Sequence, residues 1–325
     1  MTKEDLKIVF FGTPDFAVES LKRLVDGGYN VAAVVTMPDK PAGRGRQLQQ
    51  SDVKRFAVER GLPVLQPVSL KDEAFLEELR AFQAQLFIVI AFRMLPQDVW
   101  QMPPLGTFNL HASLLPRYRG AAPINWAVMN GDTQTGVTTF FLKHEIDTGD
   151  VIQQRACPIG RQDNVETVHD RLMMMGAGMV LETVDAIIAG TVKPVPQSQM
   201  LTAGQEPTPA PKIFKETCRI DWTRPAEALY NHIRGLSPYP AAWTTISDGS
   251  EAVTTLKVYQ TGEPQPFALG EKPSPGTIDA DRKTLRVACA DGWLSVLSLQ
   301  QSGKKRMDID AFLRGYVIPA GARCE

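Results

Sequence analysis

The sequence predicts an α/β protein in which a doubly wound sheet is joined to a small β-barrel. Three observations carry this. The chain opens as strand, turn, helix, strand, the start of a wound sheet. A continuous apolar run, Leu86 to Ala91 (LFIVIA), has the character of a central parallel strand. After residue 212, short strands separated by turn signals replace the helix–strand alternation, as in a barrel of the OB type. With 325 residues there is room for about two domains. They are placed at 1–190 and 212–325, joined by a proline-rich linker, 191–211, that lacks periodicity.

Composition narrows the function classes. Hydrophobic residues make up 43% and charged residues 22%, enough for a buried core and a polar surface. The net charge of −1 means that any nucleic-acid surface must come from local basic clusters. Cys157, Cys218, Cys289 and Cys324 lie far apart and form no C-x-x-C, which argues against a zinc site and a disulfide framework. Reduced thiols and a cytoplasmic location are expected. Lys3, Glu4, Asp5 and Lys7 precede the first strand, which is unlike a signal peptide. No run approaches the ~20 apolar residues of a membrane span.

Taken in order, Lys7 to Phe11 reads as a buried strand ending in Gly12. Thr13-Pro14-Asp15-Phe16 turns into a helix over Ala17 to Asp26, stopped by Gly27-Gly28. Val31 to Thr36 is the second strand. Gly12 is followed by Thr13-Pro14-Asp15, so G-x-G-x-x-G is absent and a nicotinamide or flavin dehydrogenase is excluded. Met37 to Gln50 (MPDKPAGRGRQLQQ) is too polar to bury and too rich in Pro and Gly to be regular. Its Lys40, Arg44 and Arg46 fit either a solvated loop or a basic finger for phosphates or an RNA end. A helix over Ser51 to Arg60, a short strand at Val64-Leu65 and a helix over Lys71 to Ala81 follow. The LFIVIA strand ends in Phe92-Arg93-Met94-Leu95-Pro96, a turn able to line a pocket.

The organising stretch is Gly106 to Gly131, GTFNLHASLLPRYRGAAPINWAVMNG. It starts as a strand over Thr107 to Leu110 and enters a helix near Pro123, which suits a first helical position. Asn109 and His111 are two apart, so in extended chain they share a face. They stand at the end of a parallel strand, where open α/β sheets place ligands. An amide donor beside an imidazole can hold an oxyanion and move a proton. Asn-x-His alone is more often a satisfied histidine at a strand end. The segment Thr135 to Leu142 is a strand, and Val151 to Cys157 returns from the polar loop between them. In that loop Asp147 is the carboxylate to pair with His111, although an Asx-turn residue would look the same. His144 has no amide two residues away. Asn164 to Ala189 is helical, and Met173, Met174 and Met175 on it read as core filling.

In the second domain Thr223-Arg224-Pro225 starts a helix that runs to about Arg234. Strands follow at Ala242 to Ile246, Thr255 to Gln260, Gly276 to Asp279, Leu285 to Ala288 and Trp293 to Leu299. Lys304-Lys305-Arg306 forms a basic run, ordinarily a solvated face, which on a small barrel also suits an RNA platform.

With these residues in hand, the chain resembles the methionyl-tRNA formyltransferases. The matching stretches are FGTPDFAV, PDKPAGRG, NLHASLLPRYRGAAPINWA, DTGD at Asp147 and RIDW over Arg219 to Trp222. Asn-x-His, Ser-Leu-Leu-Pro and a later Asp-x-Gly mark enzymes that use 10-formyltetrahydrofolate; PAGRG and the barrel point to the transfer RNA branch. The resemblance implies a Rossmann-like formyltransferase domain, an OB-like C-terminal domain and no metal. It implies 10-formyltetrahydrofolate as co-substrate and methionyl-initiator tRNA as acceptor, with the protein a monomer. Asn109, His111 and Asp147 carry over as the catalytic trio. Ser113, Leu114, Leu115 and Pro116 carry over as folate contacts, joined by Arg93, Met94 and Leu95. Arg44 matches the arginine that reads the end of the acceptor stem, with Lys40, Arg46, Lys304, Lys305 and Arg306 on the RNA side. Two stretches depart from the family. Ala91 to Pro96 is one residue shorter than its usual Ala-Tyr-Gly-x-x-Leu-Pro, and Ile213-Phe214-Lys215 replaces a Lys-Leu pair. Three rival readings share parts of this pattern. They are a formyltransferase acting on a small amine, a hydrolase of the same folate and a catalytically silent RNA-binding module.

Overall fold

The structure is a computed structural model describing residues 1–42, 47–201, 206–247 and 253–325. It divides into two compact units. The first comprises Met1–Gly120, Thr135–Pro158 and His169–Ala210; the second comprises Ala121–Gln134, Ile159–Val168 and Pro211–Glu325.

The chain runs β1 (Ile8–Gly12), α1 (Asp15–Asp26), β2 (Val31–Val35), β3 (Lys40–Ala42), β4 (Gln47–Gln49), α2 (Asp52–Glu59) and β5 (Val64–Leu65). It continues through α3 (Glu73–Ala81), β6 (Leu86–Ile90), α4 (Gln97–Trp100), β7 (Thr107–His111), β8 (Arg119–Gly120) and α5 (Pro123–Met129). Then come β9 (Gln134–Phe141), β10 (Val151–Pro158), α6 (Val165–Ile188) and β11 (Pro209–Ala210). Seven strands form one sheet in the order β10-β9-β7-β6-β1-β2-β5. The strands from β7 to β5 are parallel, and β9 is antiparallel to β7. The strand order reverses between β1 and β6, so the carboxyl ends of β1, β6 and β7 border the crevice where such sheets take ligands.

All five residues of β1 and of β6 are buried, which is why they read as unbroken apolar runs. Val9, Phe11, Phe87 and Val89 pack on one face with Phe75, Leu76 and Leu79 of α3. Val89 and Asn109 are partners in the β6–β7 register, so Asn109 and His111 belong to that face. Leu110 points the other way, to α6, where Gly176 leaves room for it: a Cβ there would lie 2.7 Å from Leu110 Cδ2. Ser51 and Asp72 cap α2 and α3, accepting from Lys54 N and Ala74 N.

Several expectations are corrected here. Part of the 37–50 stretch is regular: β3 and β4 pair as an antiparallel ribbon, Lys40 opposite Gln49 and Pro41 opposite Leu48. A two-stranded ribbon leaves alternate N–H positions unpaired, so it tolerates Pro41. Arg44 and Arg46 lie outside the described residues. The 191–211 stretch is not a free linker either. Val195 bridges to Val151, β11 pairs in parallel with β8, and Gln197 is buried. The methionines of α6 do not all fill core, since Met174 is exposed with Arg23 against its sulfur.

In the second unit, α7 (Ala226–Leu236) precedes β12 (Ala242–Ser247), β13 (Val253–Thr261), β14 (Gln265–Pro266), β15 (Ile278–Ala280) and β16 (Leu285–Ala288). β17 (Gly292–Gln301), β18 (Met307–Asp308), α8 (Ile309–Gly315) and β19 (Arg323–Cys324) complete it. The strands form an antiparallel sheet in the order β15-β16-β17-β13-β12-β19, with β14 and β18 also on β17. A bridge between Thr277 and Arg323 joins its two ends, and Cys324 N donates to Gly276 O at 2.8 Å, so the sheet nearly closes into the OB-like barrel. Leu229, Ile233 and Leu236 of α7 fill it against Leu256, Val258, Leu294 and Val296. α5 packs on α7 at Gly235, where a Cβ would stand 2.5 Å from Met129 Cγ. The NLHASLLPRYRGAAPINWA stretch therefore serves two units: its first half ends β7, and its second half forms a helix of the barrel unit. No helix among the described residues is long and apolar enough to cross a membrane.

Candidate active site

The site is built at the carboxyl end of β7. Asn109 is half-buried, and its Oδ1 is buried without a hydrogen-bond partner among the described residues. Buried amides are ordinarily satisfied, so an orphaned one beside a crevice is reserved for a ligand. An amide can present its oxygen or its NH2 to that ligand by turning over.

His111 is 6% exposed. Its Nε2 lies 2.8 Å from the carbonyl oxygen of Tyr118. A carbonyl only accepts, so Nε2 carries the hydrogen and Nδ1 is left for chemistry. Nδ1 faces Asp147 Oδ2 at 3.8 Å, too far for a hydrogen bond. Phe140 sets an edge-on aromatic wall, its ring centroid 6.5 Å from the imidazole. Asp147 has φ +53, in the left-handed region, and its Oδ2 accepts from Gly120 N at 2.9 Å. A side chain on Gly149 would run into Phe141 O, so the turn closes only with glycine there. His111 and Asp147 thus face one another, Asn109 lies two residues before His111 on the same strand, and the Tyr118 carbonyl holds the other ring nitrogen.

The Ser113–Pro116 turn beside it is braced from β9 and β10. Thr138 Oγ1 donates to Ser113 O at 2.6 Å, and Gln154 Nε2 donates to Leu115 O at 2.6 Å. Ser113 is fully buried, with Oγ donating to Arg117 O at 2.6 Å. Leu115 and Pro116 are also buried, and Leu114 alone is half-buried, lying over Gly136. The Ser113 side chain is thus engaged within the turn, while Leu115 packs with Phe140 and Val151. In the shortened 91–96 segment, Arg93 donates to Val68 O at 2.9 Å and Pro67 O at 2.5 Å, and burial lowers its pKa. It ties down the 67–68 loop. Met94 is 71% exposed and Leu95 is buried.

The other three histidines do not compete. His144 is exposed. His169 lies against Phe16 and Asp170. Burial pushes His232 down to about 4. Among the described residues, no group of three or more His, Cys, Asp or Glu could hold a metal. Two shallow hollows of about 290 and 330 Å³ lie at the opposite end of β6 and β7, and neither includes a residue of the trio. On the basic side, Lys40 of the β3–β4 ribbon is exposed. Lys304, Lys305 and Arg306 are exposed on the barrel unit, Arg306 with its guanidinium 4.5 Å from the Tyr259 ring centroid and Nε donating to Ser298 Oγ.

Sequence reasoning missed Gln197. Its Nε2 donates to Asp147 O and Gly149 O, both at 2.8 Å, and its Oε1 accepts from Arg119. No local pattern marks a glutamine in an aperiodic stretch some 50 residues from its partners.

The chain also matches known formyl transferases. The family described as formyl transferase matches residues 6–184, and that described as formyl transferase, C-terminal domain, matches 212–317. A methionyl-tRNA formyltransferase of Phocaeicola vulgatus is 64% identical over 320 residues, covering 97% of each chain. One from Bacteroides fragilis is 60% identical over 318 residues, again 97% of each. Among solved structures, the sugar 3N-formyl transferase WlaRD has a TM-score of 0.63 at 17% identity, over 92% of this chain and 99% of that one. HypX from Aquifex aeolicus, in complex with tetrahydrofolic acid, has a TM-score of 0.62 at 19% identity, over 95% of this chain and 47% of its own.

Proposed function

The chain belongs to the methionyl-tRNA formyltransferase family, and from that premise we propose that it moves the formyl group of 10-formyltetrahydrofolate to the α-amine of methionyl-initiator tRNA. The observation that carries the chemistry is the orphaned Asn109 amide next to a histidine whose free nitrogen faces a carboxylate.

The α-amine attacks as the neutral base, and a free α-amino group titrates near pH ~7.7–8.0, so little activation is required. Attack turns the formyl oxygen into an oxyanion, and the Asn109 NH2 donates to it. His111 Nδ1 takes the proton from the incoming amine and passes it to the departing N10, directly or through water. Asp147 Oδ2 stands 3.8 Å from that Nδ1. Leu114 and the 92–95 turn flank the folate. Lys40, Arg44, Arg46 and the 304–306 run meet RNA phosphates. The protein acts in the cytoplasm as a monomer.

Incubation with 10-formyltetrahydrofolate and charged initiator tRNA, followed by assay of formyl-methionine, tests this reading. Formate release without product would point to a hydrolase, and formylation of a small amine alone would point to another acceptor. Affinity for the tRNA is expected to fall steeply with salt. Glutamine at Lys304, Lys305 and Arg306 together should flatten the log Kd–log salt slope by roughly 0.7–0.9 for each phosphate no longer neutralised. A slope unchanged from wild type in titrations across salt would remove these three residues from the RNA surface.

A further inference from the structure

Tyr118, Arg119 and Gly120 are consecutive, and each holds a different part of the site. The Tyr118 carbonyl accepts from His111, and Gly120 N donates to the Asp147 carboxylate. Arg119 Nε and Nη2 donate to Gln197 Oε1 at 3.0 and 2.7 Å. Gln197 is 3% exposed, and it spends both amide hydrogens on the main-chain carbonyls of Asp147 and Gly149. Its orientation is unambiguous: turned over, the amide would set oxygen against two carbonyls and NH2 against a guanidinium. Asp147 needs such a hold, because a non-glycine residue at φ +53 stays there only when its surroundings fix it.

We propose that Gln197, clamped by Arg119, is a positioning residue for formyl transfer: it fixes the Asp147 turn so that the carboxylate faces His111 Nδ1. This rests on the catalytic reading of the trio. The clamp is anchored in turn. Arg119 N donates to Thr208 O at 3.1 Å, and a Cβ on Gly120 would stand 2.5 Å from Ala210 O, so β8 and β11 fit only as they are. A stretch that reads as linker therefore supplies both the residue that holds Asp147 and the strand that anchors its clamp.

Gln197→Glu is the informative variant. It keeps the shape and the Arg119 partner but replaces the donating NH2 with an oxygen facing two carbonyl oxygens. It is expected to lower kcat about 10- to 100-fold, the scale of a small misplacement at a reacting centre. KM for 10-formyltetrahydrofolate and for the charged tRNA should stay within about twofold. Adding it to Asp147→Ala should slow the enzyme no further, within about twofold, because both changes disable the same carboxylate–imidazole pair. If Gln197→Glu does not fold, Arg119→Lys tests the clamp with Gln197 in place, and a drop in kcat without a rise in KM is expected there too. Normal kcat in Gln197→Glu beside a slow Asp147→Ala would overturn the proposal alone, as would losses that multiply in the double variant. Normal kcat in Asp147→Ala would overturn the trio reading and this proposal with it.

Discussion

Replacing Asn109 with Ala is expected to lower kcat by roughly 10²–10³, or about 2.7–4 kcal/mol of transition-state stabilisation, with the fold intact. The size follows from placement. The amide sits near the end of a largely buried strand, and its Oδ1 makes no bond that the protein itself needs. Removing it should therefore cost little stability and much catalysis. Because the donor acts on charge that develops only during attack, the loss belongs in kcat rather than in substrate binding. Single-turnover formylation with both substrates saturating, alongside a thermal melt, measures this. An unchanged single-turnover rate would sink the oxyanion role.

The second large effect is expected at His111. His111→Gln retains an amide able to donate towards the Tyr118 carbonyl but has no group that takes up a proton near neutrality. Its kcat is expected to fall roughly 10²–10⁴-fold. The contrast with Asn109→Ala is in what remains: the asparagine variant keeps the imidazole that carries the proton, whereas His111→Gln leaves only an amide. A glutamine variant within tenfold of wild type would place proton transfer elsewhere.

How much of this could be read from the sequence differs by element. The parallel sheet was legible because β1 and β6 are buried on both faces and so read as apolar runs, and because α1, α2 and α3 have amphipathic spacing, the last two with polar caps. Asn109 and His111 were legible because a strand fixes what a two-residue spacing does. Asp147 could be paired with them through its loop, but its actual contacts were hidden, since Gly120 and Gln197 reach it across 27 and 50 residues. The same holds for Arg93, whose partners are carbonyls on another loop. In the barrel unit, β14, β18 and β19 were missed because two-residue strands have no periodicity to detect; only their pairing defines them. The assignment of α5 to that unit was equally invisible, because it depends on Gly235 admitting the helix rather than on any signal within α5.

The Tyr118 carbonyl has one last consequence. With Nε2 of the imidazole engaged by that carbonyl, the histidine has a single free nitrogen. In the proposed reaction that nitrogen is filled and then emptied, both on one edge. A hydrogen cannot enter at one nitrogen and leave from the other, so no conduit runs through the ring to bulk solvent. The amine and N10 are bonded to the same tetrahedral carbon, within reach of that one edge. The hydrogen lost by the acceptor and the one the folate receives thus cross the same edge of the ring, directly or through a water held there.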